Sequence, residues 1–223
     1  MLVLAVADEV DEGLYHDVSP VRGVELIVSC GDLPFEYLDR LTQALDVPLA
    51  FVAGNHDPDI SGYHLGRSGL MLRAGMPCEP PWPAGAVNVD GRVADVGGLR
   101  LAGLGGSVRY REGANQYTQR QQRRRAARLV AAARWHRWRD GRGVDIVLAH
   151  APPRHPDERT DPAHAGFDAL ATVVGRLQPR LLLHGHVHPY GGTDRDQRYG
   201  RTTVRNVVGR HVVTIETEGA DAS

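Results

Sequence analysis

Lysine is absent from this 223-residue chain, and all 26 basic residues are arginine. With Ala, Gly and Val abundant, that reads as genomic composition bias rather than as a functional signal. Cysteine is scarce: Cys30 and Cys78 are too few for a disulfide framework. Cys30 closes an apolar run, where a small buried residue is expected, and a reducing cytoplasm is the expected compartment. No apolar run reaches the ~18 residues that a bilayer span needs. Met1 to Ala7 leads straight to Asp8 without a basic flank, so no signal peptide is expected. Net charge is nearly absent too, at -1 with a pI ≈ 6.8, which removes any global attraction to nucleic acid or an anionic membrane. What remains, 42% hydrophobic and 24% charged residues at a mean hydropathy of -0.32, excludes a disordered chain or a fibre. The length fits one domain over residues 1–218 and a frayed tail at 219–223.

The patterned signal is a short apolar, β-branched run that stops at a polar residue. Leu2 to Ala7 stops at Asp8, Val24 to Cys30 at Gly31 and Asp32, and Pro48 to Ala53 at Gly54, Asn55, His56 and Asp57. Runs this apolar, bounded by Gly or Pro, predict strands buried on both faces. Between the second and third, Phe35 to Leu45 carries Leu38, Leu41 and Leu45 at helical spacing, so the unit is β-α-β and the sheet parallel. Arg92 to Val96 and Leu99 to Leu104 flank Gly97 and Gly98, a hairpin signature. Helices are expected over Gln116 to Trp138 and Phe167 to Leu177. Val144 to Ala149 ends at His150, and Leu181 to Leu183 runs into His184, Gly185, His186, Val187 and His188. Val204 to Val208 and His211 to Glu216 are expected to pair antiparallel about Gly209. The fold class is α/β.

Sheets of this kind place their sites outside the carboxyl ends of the strands. Those ends carry Asp8, Asp32, Asn55, His56, His150, His186 and His188. One such residue is most often a cap, but a whole succession of them is hard to explain by capping. Carboxylates, imidazoles and an amide form a mixed oxygen and nitrogen set that suits Mn, Fe, Zn or Co and not a thiolate site.

In this order, Asp8, then Gly31-Asp32, then Gly54-Asn55-His56-Asp57, then His150, then Gly185-His186-Val187-His188 resemble the motifs of the calcineurin-like metallophosphoesterases. The resemblance covers Leu2 to roughly Glu216. It implies a four-layer α-β-β-α sandwich and a metal-dependent hydrolase of a phosphomonoester or phosphodiester, on a small molecule or a nucleotide. It implies two divalent ions, Mn favoured over Fe, Zn, Ni or Co, ~3.5 to 4 Å apart, with in-line attack by a bridging hydroxide. On that pattern Asp32 bridges the metals, Asp8 and His188 hold the first, and Asn55, His150 and His186 hold the second. His56 is the electrophile or general acid, oriented by a carboxylate such as Asp57. The family's first motif is Asp-x-His, whereas Asp8 is followed here by Glu9 and Val10, which leaves the first metal one ligand short. Strand alternation turns Glu9 away from Asp8 and leaves Asp11, Glu12 or His16 as candidates for the vacancy. A non-catalytic scaffold, as a retromer subunit of that family is, and a nuclease are the alternatives.

Weaker features surround this set. Gly103 to Gly106, with Ser107, Arg109 and Tyr110, either present backbone amides to a phosphate or form a glycine-rich turn. Arg109 or Arg111 is a candidate phosphate clamp and His164 a candidate substrate contact. His184 is expected to be structural or to support the ligands. The helix with Arg120, Arg123, Arg124, Arg125 and Arg128, and with Trp135 and Trp138, has the composition of a nucleic-acid surface. The near-zero net charge favours instead a solvated outer helix with its aromatics toward the core. A membrane partner is not expected, and the oligomeric state is open.

Overall fold

The computed structural model describes residues 1–154, 165–188 and 196–216. In chain order, β1 (Leu2–Ala7) is followed by α1 (Glu12–His16), β2 (Leu26–Ser29), α2 (Phe35–Leu45) and β3 (Leu49–Phe51). An antiparallel flap of β4 (Tyr63–Leu65), β5 (Met71–Arg73) and β6 (Met76–Pro77) leads to β7 (Val87–Asn88). The hairpin β8 (Val93–Val96) and β9 (Leu99–Leu104) precedes a short parallel pair, β10 (Ser107–Val108) and β11 (Gln116–Tyr117). The chain ends through α3 (Gln119–Asp140), β12 (Ile146–Ala149), α4 (Asp168–Leu177), β13 (Leu181–His184), β14 (Asp196–Tyr199), β15 (Thr202–Asn206) and β16 (Gly209–Thr214).

Beside the flap and the short pair, two large sheets form, ordered β16-β1-β2-β3-β7 and β14-β15-β13-β12-β9-β8. The central strands of both are parallel, as their unbroken apolar runs demand. Side-chain alternation then builds four layers. Val3, Ala5 and Ala7 of β1 face Leu101, Leu148 and Leu183 of the other sheet, while Leu4 and Val6 face Tyr37, Leu38 and Leu41 of α2. Ala102, Val147 and Leu182 turn the other way, onto Leu129 of α3 and Leu170 and Val173 of α4. The result is the α-β-β-α sandwich.

Three expectations change. Val204 to Val208 does not pair with His211 to Glu216: β15 lies parallel to β13, and β16 lies antiparallel to β1 in the opposite sheet. Val207 and Val208, both buried, carry the chain across the seam, and Gly209 (φ 83°) makes the turn. The arginine helix starts later than Gln116, because Thr118 caps it and exchanges hydrogen bonds with Gln121 in a capping box. Its tryptophans point outward, with Trp135 52% and Trp138 82% exposed. The stripe that packs inward is Gln122, Ala126, Leu129 and Ala133, where the close approach at the two alanines leaves no room for an indole. His164 and the tail 219–223 lie outside the described residues. Among the described residues no helix is long and apolar enough to cross a membrane.

Candidate metal centre

The carboxyl ends of β1, β2, β3, β12 and β13 converge at the seam between the sheets. Asp8, Asp32, Asn55, His56, His186 and His188 line one cleft there, of ≈ 330 Å³. His150 lies fully buried beneath it. Backbone conformation makes the convergence possible. Asp8 (φ 62°), Asp32 (φ 57°) and His186 (φ 67°) all adopt the left-handed region, which costs a non-glycine residue roughly 1–2 kcal/mol. Strain at three neighbouring polar residues marks a site that the fold holds against local preference. The flanking glycines make room: a Cβ on Gly54 would meet Asp32 Oδ1 at 2.1 Å, and one on Gly185 would meet Asp8 Oδ2 at 2.1 Å.

The carboxylates and His150 are held from behind. The two oxygens of Asp8 accept the His186 backbone N–H at 3.1 and 3.0 Å. Asp32 Oδ1 accepts the His56 N–H at 2.8 Å. The Asp57 carboxylate accepts the amides of Gly54 at 2.7 Å and Asp32 at 3.0 Å, so it pins the two ligand loops together rather than orienting the His56 ring. His150 Nδ1 donates to the Cys30 carbonyl at 2.8 Å, which aims Nε2 at Asn55 Oδ1 (2.9 Å) and Asp32 Oδ2 (3.2 Å). With the ring proton on Nδ1, three acceptors confront one another in a buried place, an arrangement that only a further proton or a cation satisfies. Ligand atoms of Asp32, His150 and His186 lie within 4.8 Å of one another. The donor set therefore fits a divalent ion bound by oxygen and nitrogen.

The electrostatics agree. Burial opposes charge on His150, yet Asp32 and Asp8 outweigh it and raise its pKa. Burial likewise opposes ionisation of Asp32, but the hydrogen bond and charge of His150 hold its carboxyl below the usual range. Asp8 and Asp57 are pushed up by burial. His184 is neutral, burial lowering its pKa to about 4, and its Nδ1 donates to the Gly185 carbonyl.

Other sequence candidates land elsewhere. Arg109 is exposed and hydrogen-bonds Gln116 O and Gln121 Oε1, outside the cleft. Gly105 N–H donates to Asp90 and Gly106 N–H to the Ala53 carbonyl, so both amides are committed to the fold, as the turn reading requires. Asp11 caps α1 and pairs with Arg210. Val10 packs with the cluster beneath α1 and α2. Two residues take places at the site that the sequence did not assign them, Glu9 having been expected to turn away. Glu9 Oε1 receives His188 Nδ1 at 2.9 Å, and the Tyr110 hydroxyl lines the cleft against Asn55 Nδ2 at 3.5 Å.

A family model described as calcineurin-like phosphoesterase matches residues 2–190, a span that contains every residue of the cleft. The chain belongs to that family. Among solved structures, TT1561 of Thermus thermophilus superposes with a TM-score of 0.60 at 18% identity, covering 93% of this chain and 89% of that one. A Vps29 single mutant from Entamoeba histolytica matches with a TM-score of 0.42 at 15% identity, over 92% of this chain and 73% of that one. No curated protein matches significantly. Calcineurin-like phosphoesterases are in general metal-dependent hydrolases of phosphate esters, and the four-layer architecture agrees with that membership.

Proposed function

We propose that this calcineurin-like phosphoesterase hydrolyses a phosphomonoester or phosphodiester of a small molecule or nucleotide, using two divalent cations, manganese favoured. The observation that carries the reading is the buried meeting of His150 Nε2, Asn55 Oδ1 and Asp32 Oδ2, three groups whose facing lone pairs a divalent cation between them would satisfy. Asp32 would bridge the two ions, Asp8 and His188 would hold the first, and Asn55, His150 and His186 the second. When bound, the ions supply positive charge to the phosphoryl oxygens and a water acidic enough to act as nucleophile near neutral pH.

The protein's own groups do the rest. Cys30, through its carbonyl, fixes the His150 tautomer so that Nε2 stays free to ligate. Asp57, through two amide contacts, sets the spacing between the Asp32 and Asn55 loops. His56 reaches the cleft from an exposed position and is tied to the fold through its backbone N–H, so its imidazole protonates the leaving oxygen or balances developing charge. Glu9 accepts a hydrogen bond from the Nδ1–H of His188 and so leaves Nε2 for the cleft, which compensates in part for the family histidine replaced by Val10.

The test is hydrolysis of bis(p-nitrophenyl) phosphate and of p-nitrophenyl phosphate after removal of metals, with Mn²⁺, Ni²⁺, Zn²⁺ and Mg²⁺ restored in turn. Metal-dependent turnover that Asp32→Asn abolishes, together with a lower metal content in the variant, is the expected result. No metal and no turnover under any ion would leave a scaffold.

A further inference from the structure

Helix α3 carries eight arginines against one acidic residue, Asp140. Asp140 is already held by Arg100 at 2.8 and 2.9 Å. Some of the arginines serve the fold: Arg123 pairs with Asp168, and Arg125 pairs with Asp90 and lies over the Tyr117 ring. Arg120, Arg124, Arg128 and Arg134 have no acidic partner among the described residues. At 3.6 residues per turn these four, with Trp135 and Trp138, fall within an arc of about 120°. The buried stripe Gln122, Ala126, Leu129 and Ala133 occupies the opposite side. The helix therefore presents to solvent, along ~27 Å, a row of guanidinium groups without an acidic partner among the described residues, and two indoles.

We infer that this face of α3 binds single-stranded nucleic acid. Uncompensated positive charge along one line complements a polyanion and is locally strong even though the whole chain is near neutral. Trp138, 82% exposed, offers an open ring to an unstacked base, and Trp135 is backed by Arg139 at 5.1 Å from its ring. The bases of a duplex are already stacked, so a duplex gains less from these rings. A membrane surface fits worse. A helix lying in a bilayer needs its apolar residues on a face of their own, and the apolar face of α3 is already buried against β9 and α4. On the outer face the indoles are interleaved with arginine, and the other residues of that arc, Ala127 and Ala131, are too small to make an apolar face.

The inference stands apart from hydrolysis, because the face lies outside the cleft, and the experiment is run in EDTA. Fluorescence anisotropy of a labelled oligo-dT of about 20 nucleotides is measured against protein concentration over a range of salt. The expected result is micromolar binding at about 50 mM salt that weakens with a log-log slope near -3, about 0.7 per phosphate contact. Arg120→Gln, Arg124→Gln and Arg128→Gln together should make the slope shallower by about 2. Trp138→Ala should weaken binding roughly tenfold. Both changes lie on the surface, and hydrolysis of the nitrophenyl esters should be unaltered in both. Absent oligonucleotide binding, binding that neither variant moves, or capture by phosphatidylserine vesicles in place of the oligonucleotide would overturn the inference.

Discussion

Gly185 separates the positional demands of the site from those of the fold. Its φ is not in the left-handed region, so alanine there carries no conformational penalty, and the effect is steric alone. The new Cβ would stand 2.1 Å from Asp8 Oδ2 and 2.8 Å from the Ala7 Cβ, where ordinary contact begins near 3.4 Å. The neighbour able to move is the Asp8 carboxylate, which must retreat by about 1 Å; β1 itself is paired on both sides. A misplacement of that size costs ~10²-fold in rate when the displaced group positions the chemistry. The overpacking itself destabilises by ~1–3 kcal/mol, which a folded domain tolerates. Gly185→Ala should therefore fold, bind less metal at equal free concentration and turn over bis(p-nitrophenyl) phosphate ~10²-fold more slowly. Gly175→Ala in α4, where a Cβ meets nothing within 4 Å, is the control and should be as active as the parent. A double-mutant cycle with Asp8→Asn identifies the route: if the damage runs through Asp8, the second change adds little to the first. Wild-type metal content and turnover in Gly185→Ala would refute the reasoning, since the carboxylate would then have no part in the site.

Other substitutions test the remaining parts. His56→Ala should lower turnover by ~10² or more with metal content intact; loss of a metal would show that His56 is a ligand. Glu9→Gln should weaken the first metal by ~10- to 100-fold, so that activity returns at higher Mn²⁺, and an unchanged metal titration would remove Glu9 from the site. Val10→His should leave that titration unmoved, because its side chain packs beneath α1 and α2; tightening of the first metal would show that the loop re-forms. Arg100, 2% exposed, binds Asp95 and Asp140 and holds both carboxyls below their usual range. That contribution is complete above the unfolded carboxylate pKa near 4 and is lost as pH falls below it. Arg100→Met should accordingly flatten the acid limb of a stability-pH curve, and an unchanged limb would exclude the network as its source.

Much of the fold was legible because the parallel strands are buried on both faces. Such strands carry few polar side chains until they leave the core, so the polar residues gathered just past each run mark both the strand end and the site. Asp8, Asp32, His150 and His186 were readable for that reason. Connections across the sandwich were not. A glycine between two apolar runs looks the same whether the runs form a hairpin or part into different sheets, as β15 and β16 do about Gly209. Arg100 was equally hidden, since an arginine inside an apolar strand gains its partners only when Asp95 and Asp140 arrive from other elements. The orientation of Trp135 and Trp138 depended on how little space α4 leaves beside α3, which no helical period records.

The departure at Glu9 and Val10 shows how one backbone torsion redirects chemistry. Alternation along β1 would send Glu9 to the side opposite Asp8 and return Val10 to the side of Asp8. That rule holds while the chain stays extended. At Asp8 the chain enters the left-handed region at φ 62°, and the Glu9 N–H turns back to the Ala7 carbonyl at 2.6 Å. Parity is thus reset one residue past the strand. Glu9 is carried to His188, and Val10, half-buried, is carried against the cluster of Leu14 and Tyr37. The same torsion presents the Asp8 carboxylate to the His186 amide, so the strain at Asp8 positions one proposed ligand and selects which neighbour supports another. A valine two residues beyond Asp8 is therefore compatible with a working first site, because the support that reaches His188 comes from the intervening residue.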